Sequence, residues 1–567
     1  MEGMDLEQDN DDLYLPRHLG ECLKEDGSLD VDKYRRYMDH QDEVDELEEA
    51  KLLAMYDSDT GSGSGMDVEE DTAQTSKARK PRSPRRYQSI KPFYFNEKGE
   101  KVFLKPKQTH WYLCYVVSPI LDCAKFQKKF RRRFRLPYKE FLATLEMMKE
   151  ASHFVRWRSK DAVGQESSPL ELMALGALRY LGRGLTFDDL EEYTAINEET
   201  HRQFFHIFID WGSTNLFETF VKMPVTRQEY AKHRKEYSAG GLNGAGFSTD
   251  ATNVVMWRCS HNLKQANMGW KQSHPARTYN MSCNHRRMIL YTTKGHPSRW
   301  NDKTLAHFDE FLGQIHDGKI LQDVSFYLYS WAGQVGNSEI EATKYNGAWG
   351  LVDNGYHKWA CTQAPAKNNL LRSEERLSEW IESFRKDAEC CFGILKGRWR
   401  VLKTGIRLEG SEAADKVWLT CCALHNFLLI ADGNDEWDGA VGQNEVEEMR
   451  RMAPFALQRL SDNELREFGS REHERSACQE EQRQAAIRRQ RGQLQEEENE
   501  EPDFVPGDDD HLTGSSQKLH PIYGGVLVNS LCYDDFRFRL VEHFDIQFRQ
   551  NRIKWPERRS NDSNNNN

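Results

Sequence analysis

The sequence contains no apolar run of 18 residues and no Cys-x-x-Cys pair. The first absence argues against a transmembrane helix, which needs about 20 predominantly apolar residues. The 12 cysteines are scattered at irregular spacing, which predicts a reduced, intracellular protein. The N-terminus also lacks the positive and apolar stretches of a secretory signal, so we expect neither secretion nor membrane insertion.

The net charge of −12 is unevenly distributed along the 567 residues. Residues 1–76 carry −18 and residues 436–567 carry −9, whereas residues 77–435 carry +15. Lys and Arg side chains that contact phosphates release counterions and dominate non-specific affinity for nucleic acid. The cationic middle therefore favours a polyanionic partner, although the same charges would also serve to solvate a large surface.

A chain of this length exceeds what one hydrophobic core can support, so several domains are expected. The predicted divisions are a disordered acidic segment (1–106), a helical domain that is a candidate for DNA binding (107–240), an α/β domain (241–435), a low-complexity, acidic and mostly disordered segment (436–530), a short docking helix (531–556) and a tail (557–567). The basic cluster at 77–86 fits a nuclear import signal, a flexible phosphate-binding arm or a plain solvated run.

The helical domain carries a strongly basic stretch. Lys125–Arg135 interleaves aromatic residues with seven bases and no acid, which fits one packed face and one phosphate-binding face, or simply a solvated helix face. Pro169, Thr186 and Asn197 are placed to begin three consecutive helices. Three short helices in this order fit a helix-turn-helix, and they fit an all-helical packing subdomain equally well.

Three acids stand out in the α/β domain. Asp353 ends an apolar run at an Asn-Gly turn, Glu389 lies in a long helical pattern crowded with Lys and Arg, and Asp250 lies upstream of an apolar strand pattern. A strand-end carboxylate and a helix carboxylate can converge on a metal, and three oxygen ligands suit Mg²⁺ or Mn²⁺. A surface salt bridge is the alternative for Glu389, but it does not explain the spacing from Asp353.

Periodicity predicts the elements around these acids. Short apolar runs after Asp250 predict a meander of strands, and a helix beginning at Asn301 or Asp302 is expected to bury Leu305, Phe308, Leu312 and Ile315. A second helix, around 373–396, has a buried stripe of Leu377, Trp380, Phe384, Ala388, Cys391 and Leu395. A third, 419–430, is nearly all apolar and holds His425, which we interpret as a core histidine rather than a catalytic one.

The sequence also contains residues that suit two other chemistries. Cys259, His261, Cys283 and His285 offer four zinc ligands, but a one-residue gap within each pair is not the usual finger spacing. A glycosidase would use an acid pair without a surrounding cationic groove, and the Arg and Lys residues around Glu389 argue against that reading.

Seven motifs occur in a characteristic order between about 169 and 430. They are Leu175-Gly-Ala-Leu-Arg-Tyr-Leu-Gly-Arg183, Ser248-Thr-Asp250-Ala-Thr, Asn284-His-Arg-Arg287, Arg299-Trp-Asn-Asp302-Lys, Leu351-Val-Asp353-Asn-Gly-Tyr356, Phe384–Arg400 and Leu424-His-Asn-Phe427. In this order they make the sequence resemble the PIF/Harbinger-type DDE transposases and the Harbinger transposase-derived nucleases. Where members of that family often have a histidine three residues after the first Asp, this chain has Asn253.

The resemblance implies an RNase H-like fold for 241–435, with Asp250, Asp353 and Glu389 as catalytic metal ligands. Similar enzymes use two divalent ions, Mg²⁺ or Mn²⁺, to nick transposon-end DNA and to join the freed 3′-OH to target DNA. Asp302 is expected to be a helix N-terminal residue, with an auxiliary ligand role as the alternative. A domesticated derivative that binds DNA or protein without cutting is the alternative function.

Partners follow from the same resemblance. Double-stranded DNA is the expected substrate, a Myb/SANT-like DNA-binding protein is an expected partner, and joining two ends implies a homo-oligomer. With the basic cluster at 77–86, a DNA substrate predicts nuclear location. The residues expected to contact DNA phosphates are Arg385, Lys396, Arg398, Arg400 and Lys403, with Arg407 beyond them.

Overall fold

The computed structural model describes residues 93–96, 98–158, 167–269, 273–332, 339–366, 371–439, 441–442 and 518–556. The acidic N-terminal stretch up to residue 92, the basic cluster at 77–86, most of the predicted low-complexity segment and the tail lie outside these residues. The chain divides into two compact units, residues 1–104 and residues 105–567.

The described part of the first unit is a hairpin. Strand β1 (Phe93–Phe95) pairs antiparallel with β2 (Lys101–Phe103). The Asn96 side chain accepts hydrogen bonds from the backbone N–H groups of Lys98 and Glu100, at 3.1 and 2.9 Å. An asparagine side chain that bonds the following backbone in this way closes a turn between two strands.

The second unit begins with helices. They are α1 (His110–Tyr112), α2 (Ala124–Phe134), α3 (Tyr138–Glu150), α4 (Leu170–Arg183), α5 (Phe187–Thr194), α6 (Glu198–Trp211), α7 (Phe217–Phe220), α8 (Arg227–Ala231) and α9 (Lys235–Ala239). The three helices predicted after Pro169, Thr186 and Asn197 are present as α4, α5 and α6. Thr186 and Asp189 form a reciprocal capping box, which satisfies backbone donors at the start of α5.

A mixed sheet follows. Its strands are β3 (Ala245–Arg258), β4 (Ala276–Cys283), β5 (Ile289–Thr292), β6 (His296–Pro297), β9 (Trp349–Leu351), β10 (Thr362–Gln363) and β11 (Ile406–Glu409). The order is β10-β9-β3-β4-β5, with β6 on β4 and β11 on β3. The antiparallel run from β3 through β4 to β5 confirms the predicted meander, while β9, β10 and β11 join in parallel.

The other helices of the second unit are α10 (His261–Lys264), α11 (Asp302–His307), α12 (Glu310–His316), α13 (Arg372–Arg398), α14 (Arg400–Thr404), α15 (Ser411–Ala431) and α16 (Tyr533–Arg549). The single helix expected to bury Phe308 is wrong, because the chain breaks between α11 and α12 and leaves Phe308 56% exposed. The break lies at Asp309, whose carboxylate accepts a hydrogen bond from the Leu312 N–H and so begins a new helix. No helix among the described residues is long and apolar enough to cross a membrane.

A smaller sheet is covered by α16. It consists of β7 (Ser325–Ala332), β8 (Glu339–Asn346) and β13 (Val526–Leu527), and a separate two-stranded pair joins β12 (Val441–Gly442) to β14 (Trp555–Pro556). On α16, Phe536 is fully buried against Trp349 and Tyr345, with ring centroids 5.8 and 6.1 Å apart. His543 Nδ1 accepts a hydrogen bond from the Tyr329 N–H at 3.0 Å, so α16 is held by both apolar and polar contacts.

Helix α13 joins the two hydrophobic cores of the second unit. Its first half contributes Trp380 and Phe384 to the core that also contains Phe536, and its second half contributes Cys391 and Leu395 to the core built from the N-terminal helices, β3, β4 and α15. The N-terminal helices and the mixed sheet therefore share one core. The stripe predicted for this helix is buried along its whole length.

Candidate active site

The edge of β3 is open at Asp250. On one side, β3 pairs continuously with β4 from Ser248 to Val255. On the other, β9 pairs at Ala245 and Ser248 and β11 pairs from Met256 onwards, so in the described structure no strand covers residues 249–255 on that edge. A gap between two strands that diverge from a common neighbour is where α/β sheets form a crevice. Asp250 lies at this gap with its side chain about one-fifth exposed.

Asp353 follows the strand beside Asp250. Strand β9 is parallel to β3, and Leu351 of β9 is in register with Ser248 of β3. Asp353 follows Leu351 by two residues, and Asp250 follows Ser248 by two residues. The Tyr356 N–H donates to the Asp353 carbonyl at 3.1 Å and closes the Asn-Gly turn. Asp250, within β3, and Asp353, just after β9, therefore lie at about the same level along two adjacent parallel strands.

Glu389 comes from helix α13. It lies off the buried stripe, and its side chain is 51% exposed. The guanidinium of Arg385, one turn earlier on the helix, pairs with Glu389 Oε1 at 2.9 Å. The same guanidinium reaches Asp250 Oδ2 at 3.4 Å and Glu382 Oε1 at 2.8 Å. Arg385 is itself buried, and it connects the helix carboxylate to the strand carboxylate.

The charges of Glu389 and Asp353 act on Asp250. The pKa of Asp250 is raised to about 6, chiefly by burial and to a smaller extent by the negative charges of Glu389 and Asp353. The Ala251 N–H, which donates to Asp250 Oδ1 at 2.8 Å, and the Arg385 guanidinium oppose this rise. A carboxyl whose neighbours are carboxylates holds its proton because its charged form is repelled.

A chain of hydrogen bonds links Tyr356, after the Asp353 turn, through Asn280 to another buried acid, Asp309. The Tyr356 hydroxyl donates to Asn280 Oδ1 at 2.5 Å, and Asn280 Nδ2 donates to Asp309 Oδ2 at 2.7 Å. Burial raises the pKa of Asp309 to about 6. Asp302 is the first residue of α11, as expected from its sequence context, and its carboxylate lies so close to Gly355 that a Cβ there would be 2.3 Å from Oδ2.

Sequence reasoning missed Tyr356 and Asn280 as parts of the site. The signal for Tyr356 was its place directly after the Asp353 turn. Asn280 stands as an amide within the largely buried strand β4, where a fully buried polar side chain needs hydrogen-bond partners. Both residues belong to the hydrogen-bonded chain behind the Asp353 turn.

Three carboxylates are the donor set that a hard divalent ion prefers. The negative charges of Glu389 and Asp353 contribute to the raised pKa of Asp250, and a bound cation would offset that contribution. Among the described residues, however, no group of three His, Cys, Asp or Glu is arranged to hold an ion. The contacts of Arg385 with Asp250 and Glu389 explain this arrangement, because the guanidinium lies where it neutralises both acids. The donor chemistry fits a divalent ion, and Arg385 pairs with two of the three acids.

The residues predicted to contact phosphates differ in burial and in the groups that they contact. Burial lowers the pKa of Lys396 to about 8, and its ammonium donates to Thr252 Oγ1 and to the Asn253 carbonyl at 2.7 and 2.9 Å, across the open edge of β3. Arg398 lies 3.2 Å from His425 Nδ1. Arg400 is half-buried, whereas Lys403 is exposed. The structure thus brings Arg385 and Lys396 to β3 and leaves Lys403 at the surface.

The interpretation of His425 as a core histidine is confirmed, since it is fully buried and its Nε2 bonds the Arg287 carbonyl at 2.9 Å. The zinc alternative is wrong for its four residues, all of which the structure describes. His285 instead pairs with Asp387 at 2.6 Å and with the Pro556 carbonyl at 3.0 Å. Its ring nitrogens are both engaged.

Two aspartates on parallel strands and a glutamate on an adjoining helix define an acidic site on a mixed α/β fold. Residues 249–426 match the family model described as DDE superfamily endonuclease. This segment contains Asp250, Asp353 and Glu389. No curated protein and no solved structure matches the chain.

Proposed function

We propose that the protein is a metal-dependent DNA endonuclease and transposase that nicks transposon-end DNA and joins the freed 3′-OH to target DNA. The observation that carries the proposal is the match of residues 249–426, a segment that contains Asp250, Asp353 and Glu389, to the endonuclease family. The strand order β5-β4-β3-β9-β10, with the first three antiparallel and the last two parallel to β3, supports an RNase H-like fold. The seven ordered motifs support the PIF/Harbinger subtype.

Asp250, Asp353 and Glu389 are the residues that would hold the two divalent ions, Mg²⁺ or Mn²⁺. Bound there, such ions lower the pKa of an attacking water and stabilise the leaving 3′-oxygen. Asp250 must be ionised for this role, and a pKa of about 6 leaves it mostly ionised at neutral pH. Arg385 pairs with Asp250 and Glu389, and an ion held by these carboxylates would have to displace those contacts.

The wider assignments rest on the same proposal. The partners are double-stranded DNA at element ends and target, a Myb/SANT-like DNA-binding protein, and further copies of the same chain, with the nucleus as the place of action. The net charge of +15 over residues 77–435 supports a DNA partner. Light scattering of the protein on end DNA tests the oligomer, and a monomeric complex would contradict it.

The test is a nicking assay on labelled duplex DNA that carries candidate element ends. Purified protein is incubated with Mg²⁺, Mn²⁺ or EDTA, beside the Asp353→Asn and Glu389→Gln variants. Glu382→Gln is the matched control, because it removes an acid from the same helix and from the same arginine. We expect metal-dependent nicking that is lost in the first two variants and retained in the control.

A domesticated derivative that binds DNA without cutting is the second candidate. The observation that favours it is the present spacing of the acids, in which Arg385 bridges Asp250 to Glu389. Binding without nicking in either metal would establish this second candidate and overturn the first.

A further inference from the structure

Tyr356 connects the Asp353 turn to another strand of the sheet. It is the last residue of the turn, and its backbone N–H donates to the Asp353 carbonyl at 3.1 Å. Its side chain is buried, and the hydroxyl donates to Asn280 Oδ1 of β4 at 2.5 Å. One residue therefore both closes the turn that carries a predicted metal ligand and bonds that turn to β4.

Asp353 depends on this turn for its position. Strand β9 ends at Leu351, so Asp353 lies beyond the residues that pair with neighbouring strands. In the sheet, β3 lies between β9 and β4, and Asn280 of β4 is in register with Ala251, the neighbour of Asp250. The hydroxyl bond therefore joins the chain that follows β9 to the strand on the far side of β3, close to the level of Asp250.

The acceptor of this bond is held in one orientation. Asn280 Nδ2 donates to Asp309 Oδ2 at 2.7 Å, and Asp309 Oδ1 accepts from the Leu312 N–H at 2.9 Å, at the start of α12. Asp309 is mostly ionised at neutral pH, because its pKa is about 6, and a carboxylate only accepts hydrogen bonds. The amide nitrogen of Asn280 must then face Asp309, and its oxygen must face Tyr356. The side chains of this chain are all buried and all bonded, so they hold one arrangement.

The hydroxyl of Tyr356 keeps its proton. Burial raises the pKa of Tyr356 well above its usual value, and the negative charges of Asp250, Asp302, Asp309 and Asp353 add to the rise. A phenol that stays neutral remains a hydrogen-bond donor at neutral pH. The charges of both strand acids therefore act on the hydroxyl that holds the turn of one of them.

We infer that Tyr356 is a positioning residue for Asp353, because its hydroxyl bond to Asn280 fixes the turn from which Asp353 would hold a divalent ion. The inference rests on the proposed function and deepens it. Tyr356 acts through Asp353 and contacts neither ion nor DNA in this role. Mg²⁺ accepts little departure from octahedral geometry, so a displaced carboxylate lowers its affinity.

A neighbouring tyrosine provides the contrast. Tyr279 precedes Asn280 on β4 and is also fully buried, and its hydroxyl donates to Asp415 of α15 at 2.9 Å. Tyr279 packs in the core of the N-terminal helices, whereas Tyr356 packs in the other core. The Tyr279 bond joins the sheet to α15, whereas the Tyr356 bond holds the turn of a predicted metal ligand. Tyr279→Phe is therefore the matched control, since it also removes one buried hydroxyl.

The experiment measures the turn and the metal separately, without DNA and without cutting. Hydrogen exchange of the peptide that contains the Asp353 turn is followed by mass spectrometry in full-length, metal-free protein. Mn²⁺ is then titrated into the same proteins, with the free ion measured by electron paramagnetic resonance. The variants are Tyr356→Phe, which removes the donor, Asn280→Ala, which removes the acceptor from the other strand, their double variant and the Tyr279→Phe control.

Tyr356→Phe should speed exchange of the turn and raise the Kd for Mn²⁺, each roughly 3- to 10-fold, the effect of losing one hydrogen bond between neutral groups. Asn280→Ala should cause the same changes, although it lies on a different strand. The double variant should differ little from either single variant, because both remove the same bond. Tyr279→Phe should leave both quantities at their wild-type values.

Unchanged exchange of the turn in Tyr356→Phe, or an equal change in Tyr279→Phe, would overturn the inference even if the protein nicks DNA. Additive changes in the double variant would also overturn it, since Tyr356 and Asn280 would then act separately. Faster exchange in Tyr356→Phe, in a protein whose wild type binds no Mn²⁺ and nicks no DNA, would support the bond that holds the turn and count against the proposed function instead. All variants are compared at a temperature at which thermal melting shows each of them folded.

Discussion

Replacing Arg385 by glutamine should tighten the binding of Mn²⁺ to the acidic site. In the structure, Arg385 pairs with Asp250 at 3.4 Å and with Glu389 at 2.9 Å, so a divalent ion has to displace it. Glutamine is neutral and shorter, and it leaves the carboxylates without their resident cation. Both changes favour an incoming ion, because the acids then repel one another more strongly.

The magnitude follows from the two contacts. Glu389 is half exposed, so solvent screening limits its pair to about 0.5 kcal/mol. The contact with the more buried Asp250 is a hydrogen bond between charged groups, worth about 1–1.5 kcal/mol. Together they predict a roughly 10-fold lower Kd for Mn²⁺.

The assay is titration of Mn²⁺ into protein without DNA, with the free ion measured by electron paramagnetic resonance. Lys386→Gln is the control, because Lys386 is an exposed base on the same helix and its loss changes the net charge equally. An unchanged or weaker Kd in Arg385→Gln would refute the reasoning, since it would mean that Arg385 does not compete with the ion. Glu389→Gln should weaken Mn²⁺ binding in the same titration.

Three further predictions concern stability, each measured by urea denaturation. The pKa of Asp309 is raised from its usual 3.8 to about 6, so the stability that its protonated form contributes is complete below pH 3.8 and is lost as the pH rises through 6. The free energy of unfolding should therefore fall less between pH 5 and pH 8 in Asp309→Asn than in the wild type, by about 1–2 kcal/mol. An equal fall in both proteins would contradict this. Phe536→Ala should cost about 3–5 kcal/mol, because the ring is fully buried against Trp349, and a loss below 1 kcal/mol would mean that α16 is not packed as described. Lys396→Met should cost about 1–3 kcal/mol by leaving Thr252 and the edge of β3 without their donor, and no change would count against that contact.

Periodicity predicted the parts of the fold in which neighbours along the chain decide the structure. The buried stripe of α13 and the exposed position of Glu389 follow from 3.6-residue spacing, and the strand before Asp353 follows from an apolar run that ends in Asn-Gly. The caps at Thr186 and Asn197 set the starts of α5 and α6 for the same local reason. The break at Asp309 was missed, because an apolar stripe at helical spacing continues across it.

The contacts within the site could not be predicted in the same way. The contact between Arg385 and Asp250 joins residues 135 positions apart, and no local pattern encodes it. A run of bases also does not reveal which way each side chain turns. Lys396 and Arg398 lie on the same basic run as Lys403, yet they bond to β3 and to His425 while Lys403 stays exposed. Tertiary packing decides these directions.

The most direct test of the three-acid nuclease is metal rescue at Asp353. The Asp353→Cys variant replaces a hard carboxylate by a thiolate, which binds Mg²⁺ poorly and binds softer ions such as Mn²⁺ and Cd²⁺ better. Asp353→Asn has no thiolate and is the matched control. We expect Asp353→Cys to fail to nick DNA in Mg²⁺ and to regain nicking in Mn²⁺ or Cd²⁺, while Asp353→Asn is inactive in all three. Full nicking by Asp353→Cys in Mg²⁺ would contradict the claim that Asp353 holds the catalytic ion.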